Sequence, residues 1–325
     1  MKIALITDGN NQLGMGHVYQ TMVLSMHLRA RLHDTVSIRF MTQSGDAVVD
    51  LLRSTGHQVD RHGDLDGMFD ALVQGDHDRV IIDKLDVDPV FAQRLATREN
   101  AKLAILTNLT DANRHAHLTV MAGMGSGFKN LRIEAPNGQV QLWGPRYWLI
   151  RPEFFQWPSK KPSVIKRTML MFGGADPANL TSSALHEILT MHAGINVTVV
   201  LGAAFAHRAE LDAVLQRHAA TASCVHVVSN LVNVAQVMHE NDLVLVSPGL
   251  SFFEALLAGT PVLCFHQNEF QRNAWAGHIH THDQSEVGKI SQLIETQAFI
   301  RPQDPAIVAM QMGQGVDDII SEILS

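Results

Sequence analysis

The 325-residue sequence predicts an α/β protein of two domains, each an open parallel sheet layered with helices. Three observations carry that reading. The length is enough for two cores of ordinary size. Short apolar runs of strand length alternate with longer amphipathic stretches, and the whole rhythm occurs twice. Between the two series lies "IRPEFFQWPSKKPSVIKR", whose three prolines and basic cluster support neither a helical nor a strand period, as a domain linker would.

The first series of runs is "KIALIT", "SIRFM", "RVIID", "LAILT" and "LTVM"; the second is "TMLMF", "NVTVVL", "VHVV", "LVLVS" and "PVLCF". Runs apolar throughout suit strands covered on both faces, and predicted helices such as 17–30, 89–98, 179–192 and 206–220 supply right-handed crossovers. The boundary falls near residue 160, giving Rossmann-like domains over 1–155 and 163–300. The closing "DPAIVAMQMGQGVDDIISEIL" has helical spacing at Ile307, Met310, Ile319, Ile320 and Leu324. It predicts a final helix within 301–325, bent where Gly313 and Gly315 interrupt it.

Composition bounds the function. A 46% hydrophobic and 18% charged chain is globular rather than disordered. A net charge of -7 argues against general attraction to nucleic acid or to an anionic membrane, while leaving room for one small anionic ligand. Cys224 and Cys264, beside apolar segments, read as buried thiols in a reducing compartment. With no signal peptide and no apolar run near membrane-spanning length, a cytoplasmic protein is expected.

In open α/β sheets the ligand crevice lies beyond the carboxyl ends of the strands. After the first strand comes "LGMGHVYQTMVLSMHL". Gly9, Gly14 and Gly16 allow a tight turn and close approach of a ligand to backbone N–H groups. His17 then falls in the first helical turn, where the dipole disfavours imidazolium and leaves a neutral ring able to act as a general base or, more blandly, to cap the helix. "GMGHVY" lacks the third glycine or alanine of a dinucleotide fingerprint, so no nicotinamide cofactor is expected. Asp83 and Asn108, at two further strand ends, either orient His17 and touch the ligand or cap their own turns.

The second half repeats the pattern. "MLMFGGADPANLTSSAL" places Gly173, Gly174 and Asp176 before a helix that Asn179 or Thr181 would cap. "LVLVSPGLSFFEALLAGTPVLCF" places Gly249, Leu250 and Ser251 at a helix start with Glu254 in its first turn, where an acid is either a response to the dipole or a ligand for a ribose diol. "HQNEFQRNAW" sets Gln267, Asn268, Gln271 and Asn273 at the same sheet edge, as solvated loop or as sugar-binding amides. His278, His280 and His282 alternate in an extended segment, but no partnering motif has metal-ligand spacing, and no metal site is expected.

Together, "GMGHVYQTMVLSMHL", "GPRYWLIRPEF", "FGGADPANLT", "NLVNVAQVMHENDLVLVSPGLSFFEALLAGTPVLC" and "NEFQRNA" resemble the UDP-sugar hydrolases of pseudaminic acid biosynthesis and the related spore-coat polysaccharide proteins. The glycine-histidine start and the closing G-x-S-x-x-E and Q-x-x-N-A elements are similar, more distantly, to the peptidoglycan N-acetylglucosaminyltransferase. The resemblance implies a GT-B fold, two Rossmann-like domains with parallel sheets facing an interdomain cleft. It implies a UDP-sugar substrate, with the diphosphate at Gly249, Leu250 and Ser251 and the ribose on Glu254. Gly14, Gly16, Gln20, Asn108, Gly173, Gly174, Asp176, Asn268, Gln271 and Asn273 would complete the binding surface.

His17, with Asp83, would activate water for inverting C–O cleavage without a cofactor. The sequence departs from the family pattern at Gln20, which stands in place of an arginine, and at Leu85, in place of a tyrosine. Pro248, Leu250 and Phe270 also differ from the family's glycine, serine and asparagine. Three activities follow as expectations: hydrolysis of a UDP-sugar, transfer of its sugar to an acceptor hydroxyl, or sugar-nucleotide binding without turnover.

Overall fold

The computed structural model describes residues 1–9, 15–98, 101–123, 128–191, 194–202, 204–229, 231 and 233–325. The chain forms two units, Met1–Arg151 with Met310–Ser325, and Pro152–Ala309.

In the first unit, strands β1 (Lys2–Thr7), β2 (Ser37–Thr42), β3 (Gln58–Arg61), β4 (Arg79–Asp83), β5 (Lys102–Leu106), β6 (Leu118–Met121), β7 (Leu131–Glu134) and β8 (Val140–Trp143) make one sheet. Their order is β3-β2-β1-β4-β5-β6-β8-β7, parallel except for the β7–β8 hairpin. Helices α1 (Gly16–Leu32), α2 (Asp46–Ser54), α3 (Leu65–Gly75) and α4 (Pro89–Ala96) connect the strands. Ile3, Leu5, Ile81 and Ile105 have no exposed surface, as expected of central strands covered on both faces.

In the second unit, β9 (Arg167–Met171), β10 (Asn196–Leu201), β11 (Val225–Ser229), β12 (Leu243–Val246), β13 (Val262–His266) and β14 (His282–Asp283) form an all-parallel sheet in the order β11-β10-β9-β12-β13-β14. Its helices include α5 (Leu180–Thr190), α6 (Arg208–Arg217), α7 (Val234–Glu240), α8 (Leu250–Leu257) and α9 (Glu269–Trp275). The core gathers Leu170, Leu185, Val199, Leu245 and Phe265. The first six strands of one unit and the six of the other thus share one winding, with the first strand of each series in the middle of its sheet.

Two expectations about the chain's path are corrected. The proline-rich segment from Pro152 onward belongs to the second unit rather than bridging two bodies. Phe154 is buried, the Trp157 ring stacks on His239, and the Lys160 N–H donates to the Gly259 carbonyl at 2.7 Å. The expected final helix within 301–325 is instead two helices in different units, Pro305–Ala309 and Val316–Leu324. Between them Gln311 and Gly313 take φ of +50° and +70°, outside helical backbone, and the later segment is fastened to the first unit through Arg79 to the Ile323 carbonyl and Arg132 to Glu322. Cys264 is buried as expected, whereas Cys224 is half-buried and donates to the Thr221 carbonyl. Among the described residues, no helix is long and apolar enough to cross a membrane.

Candidate functional site

The carboxyl edge of the first sheet brings His17 and Asp83 together. Asp83 ends β4 opposite Thr7 of β1, and α1 begins immediately beside them. His17 Nδ1 lies 2.7 Å from Asp83 Oδ1, with the Asp83 side chain fully buried and that of His17 10% exposed. With Asp83 ionised, Nδ1 carries the proton and donates it to the carboxylate, which leaves Nε2 with its lone pair. Asp83 Oδ2 and Thr7 Oγ1 are both buried without a hydrogen-bond partner among the described residues.

Burial and the neighbouring charges act on this ring beside the helix dipole. Burial alone pulls the His17 pKa down and is the largest single influence. The charge of Asp83, its hydrogen bond and the charge of Asp86 outweigh it against a smaller opposing effect of Lys84, so the net shift is upward from 6.5. Asp83 therefore both orients the ring and favours the imidazolium it becomes on taking a proton.

A Cβ on Gly16 would meet nothing within 4 Å among the described residues, and Gln20 is buried one turn further along α1. Gly14 lies outside the described residues. Asn108 is fully buried and engaged within the unit. Its Oδ1 accepts the Val87 N–H at 3.0 Å, and its Nδ2 donates to Asn113 Oδ1 at 2.9 Å and to the Thr110 carbonyl at 3.1 Å. It fastens the loops after β4 and β5. Two neighbours escaped the sequence reading, Asp8 and Lys84, which pair at 2.7 Å.

At the carboxyl edge of the second sheet, the two glycine-bearing loops differ. Gly173 has a φ of +85° with open space where a Cβ would stand. A Cβ on Gly202 would meet the Gly173 and Gly174 carbonyls at 2.5 and 2.3 Å, so Gly202, which the sequence reading passed over, lets this loop lie against the end of β10. The helix that follows is closed. Asp176 Oδ1 accepts the Leu180 N–H at 2.9 Å, and Oδ2 accepts the Thr181 N–H at 2.8 Å. Asp176 is thus the cap expected of Asn179 or Thr181, and its charge occupies the place an anion would take.

The start of α8 is open. Gly249, at the N-cap, has φ +155° and a Cβ there would meet nothing within 4 Å; Leu250 and Ser251 begin the helix with no side-chain cap and no acid in the first turn. Among the described residues, α1 and α8 are the two helices of eight residues or more that start this way. Uncapped N–H groups at a helix start are suited to an anion. Glu254 is buried at 4% exposure but falls in the second turn of α8, not the first, so the dipole does not account for its position.

The amides after β13 divide. Gln267 is turned inward, where Nε2 donates to the Phe172 carbonyl and to Ser247 Oγ, both at 2.8 Å, and Oε1 accepts from Ala178 N–H at 3.3 Å. It ties the ends of β9 and β12 to β13. Gln271 accepts the Gln267 N–H at 2.8 Å and donates to the Pro248 carbonyl at 3.3 Å, bracing the turn before α8. Asn268 caps α9 through the Gln271 N–H at 2.9 Å, and Asn273 is exposed. The histidines near β14 also separate. His282 is buried against Phe265, while His278 and His280 are exposed, and among the described residues no three His, Cys, Asp or Glu are grouped to hold a metal ion.

Comparison with known proteins places the fold. No family model matches the chain. An uncharacterized protein of Methanocaldococcus jannaschii is 34% identical over 287 residues, covering 86% of this chain. The chain spans 58% of that relative's length. The spore coat polysaccharide biosynthesis protein SpsG of Bacillus subtilis is 22% identical over 280 residues, covering 83% of this chain and 79% of that one. Among solved structures, Anabaena HepE in complex with UDP-glucose superposes with a TM-score of 0.65 at 16% identity, covering 99% of both chains. Acinetobacter baumannii MurG superposes with a TM-score of 0.64 at 14% identity, again covering 99% of both. The protein therefore has the GT-B fold, two α/β units with mostly parallel sheets.

Proposed function

We propose that the protein is an enzyme acting on a UDP-sugar at the anomeric carbon, with His17 as general base and Asp83 as its positioning partner. The 2.7 Å pair at the carboxyl edge of β4 is the observation that carries this reading. In it, His17 Nε2 takes a proton from water as the water oxygen bonds to the anomeric carbon. The bond from that carbon to the phosphate oxygen breaks, UDP leaves with the electron pair, and the configuration inverts. Asp83 stabilises the resulting imidazolium.

The backbone N–H groups at Gly249, Leu250 and Ser251 bind the diphosphate and Glu254 accepts from the ribose diol, with Gly173 and Gly174 giving room beside them. Asp176, Gln271 and Asn268 hold the loops that shape these surfaces, and Asn108 holds the loops after β4 and β5. The openness of the α8 start supports this assignment, as does the UDP-glucose bound in the HepE structure of the same fold. A second reading, transfer of the sugar to an acceptor hydroxyl by the same base, is favoured by the polysaccharide biosynthesis named for the Bacillus relative.

Incubation with a panel of UDP-, GDP- and CMP-sugars, with and without acceptor sugars, separates the readings. Hydrolysis predicts UDP and free sugar without acceptor, and transfer predicts release only when acceptor is present. Tight UDP binding with no turnover on any donor would reduce the protein to a sugar-nucleotide binder.

A further inference from the structure

Lys84 directly follows Asp83, and its ammonium meets Asp8 Oδ2 at 2.7 Å with the two side chains only 17% and 13% exposed. Asp8 is anchored independently of it. Asp8 Oδ1 accepts from Thr42 Oγ1 at 2.8 Å, from the Gln43 N–H at 2.7 Å and from Ser44 Oγ at 3.0 Å, so three neutral donors at the end of β2 fix the carboxylate. The dependence runs the other way. An ammonium has three N–H donors, and Asp8 is the partner the structure gives it among the described residues.

A largely buried ion pair is a weak means of stabilising a fold, because desolvation offsets most of the attraction. What the arrangement achieves is a cation held in place at the ligand edge of the sheet. Thr7 and Asp83 lie opposite each other at the ends of β1 and β4, and Asp8 and Lys84 are the next residue on each, so the two charged pairs flank the same two strand ends. The Lys84 charge is also close enough to oppose protonation of His17.

We propose that Lys84 is a ligand-binding residue of the first unit, whose ammonium, fixed by Asp8, receives a carboxylate or phosphate of the molecule on which His17 acts. The proposal rests on the reading of His17 and Asp83 as a reaction site, and its test involves no nucleotide.

The full chain, labelled with 13C-histidine, is titrated at constant ionic strength with inorganic phosphate and separately with acetate. The His17 ring signal, assigned by its loss in His17→Ala, is followed. At least one anion is expected to give a saturable shift whose dissociation constant weakens fivefold or more in Lys84→Met and Lys84→Gln. Lys84→Arg should retain it. Saturation by phosphate alone identifies a phosphate group, and saturation by acetate alone a carboxylate. No saturable shift with either anion, or a weakening below fivefold in whichever of the two variants melts cooperatively, overturns the proposal. Anion binding that is intact in a protein releasing no UDP from any donor would instead sink the enzymatic reading and leave the Lys84 site standing.

Discussion

The two units wind their strands in the same order, yet their ligand edges carry opposite chemistry. The first edge is ionisable, with His17 on Asp83 and Lys84 on Asp8 at the ends of adjacent strands. The second is built from glycines and amides. Asp176 is spent on capping α5, and the start of α8 is left to its own N–H groups. A shared fold therefore says little about role. On the proposed function, the difference in edge chemistry separates a proton-transfer edge in one unit from a diphosphate-binding edge in the other.

The sharpest way to break that division is at its charged end. His17→Ala should lower UDP release by about 10²- to 10⁴-fold, the usual worth of a positioned general base, and, because it strands the buried Asp83 carboxylate, should also lower the melting temperature, so rates are compared where the variant is folded. A loss of less than tenfold in steady-state assays would remove His17 from the chemistry. On the other edge, Gly249→Val forces a β-branched residue into a backbone conformation of φ +155°, at a cost of roughly 1–3 kcal/mol. Calorimetry with UDP should then show a dissociation constant raised tenfold or more, and unaltered binding would free the α8 start of its assigned role.

Two variants sharpen the contrast within the second unit. Gln267→Leu leaves the Phe172 carbonyl and Ser247 Oγ without their shared donor and should destabilise the protein by about 1–3 kcal/mol in urea. Asp176→Ala removes the α5 cap at a cost of about 1 kcal/mol, and UDP affinity should stay within threefold if the diphosphate binds at the α8 start as proposed. A large drop in UDP affinity from Asp176→Ala, without a matching loss of stability, would erase the distinction between open and closed helix starts.

The smallest effect is a matter of pH. Since Asp83 raises the His17 pKa above 6.5 and the base acts unprotonated, kcat/KM should rise with pH through a midpoint above that value. Asp83→Asn removes the charge and leaves burial, so the midpoint should move to lower pH. The pair's stabilising contribution follows the same sign. It is fully present below pH 6.5 and fades as pH rises through the higher folded-state pKa.

Much of this was legible in the sequence wherever one local rule acted alone. The apolar runs of β1, β4, β10 and β12 read as strands because both faces are buried, and the glycine-to-helix transitions located α1 and α8. Missed were β3, whose "QVDR" is too short and polar to show a period, β14, which has two residues, and both strands of the hairpin, β7, whose four residues are all exposed, and β8. The Asn137-Gly138 dipeptide between β7 and β8 is a turn signal that would have found that hairpin.

At the site, His17 and Asp83 were named, but the Nδ1–Oδ1 bond joins residues 66 positions apart, and no spacing rule predicts its effect on protonation. Asp8 and Lys84 carry no motif at all. Asp176, Asn268, Asn108 and Gln271 were sensible candidates by position, and which oxygens and nitrogens remained uncommitted depended on tertiary contacts.

The division of labour is tested most directly by the UDP dissociation constant of His17→Ala, measured by calorimetry on the same preparation used for turnover. The account predicts a value within threefold of the unsubstituted protein's beside a rate at least a hundredfold lower. A dissociation constant that rises in step with the loss of rate would contradict it, placing His17 in nucleotide binding rather than in proton transfer.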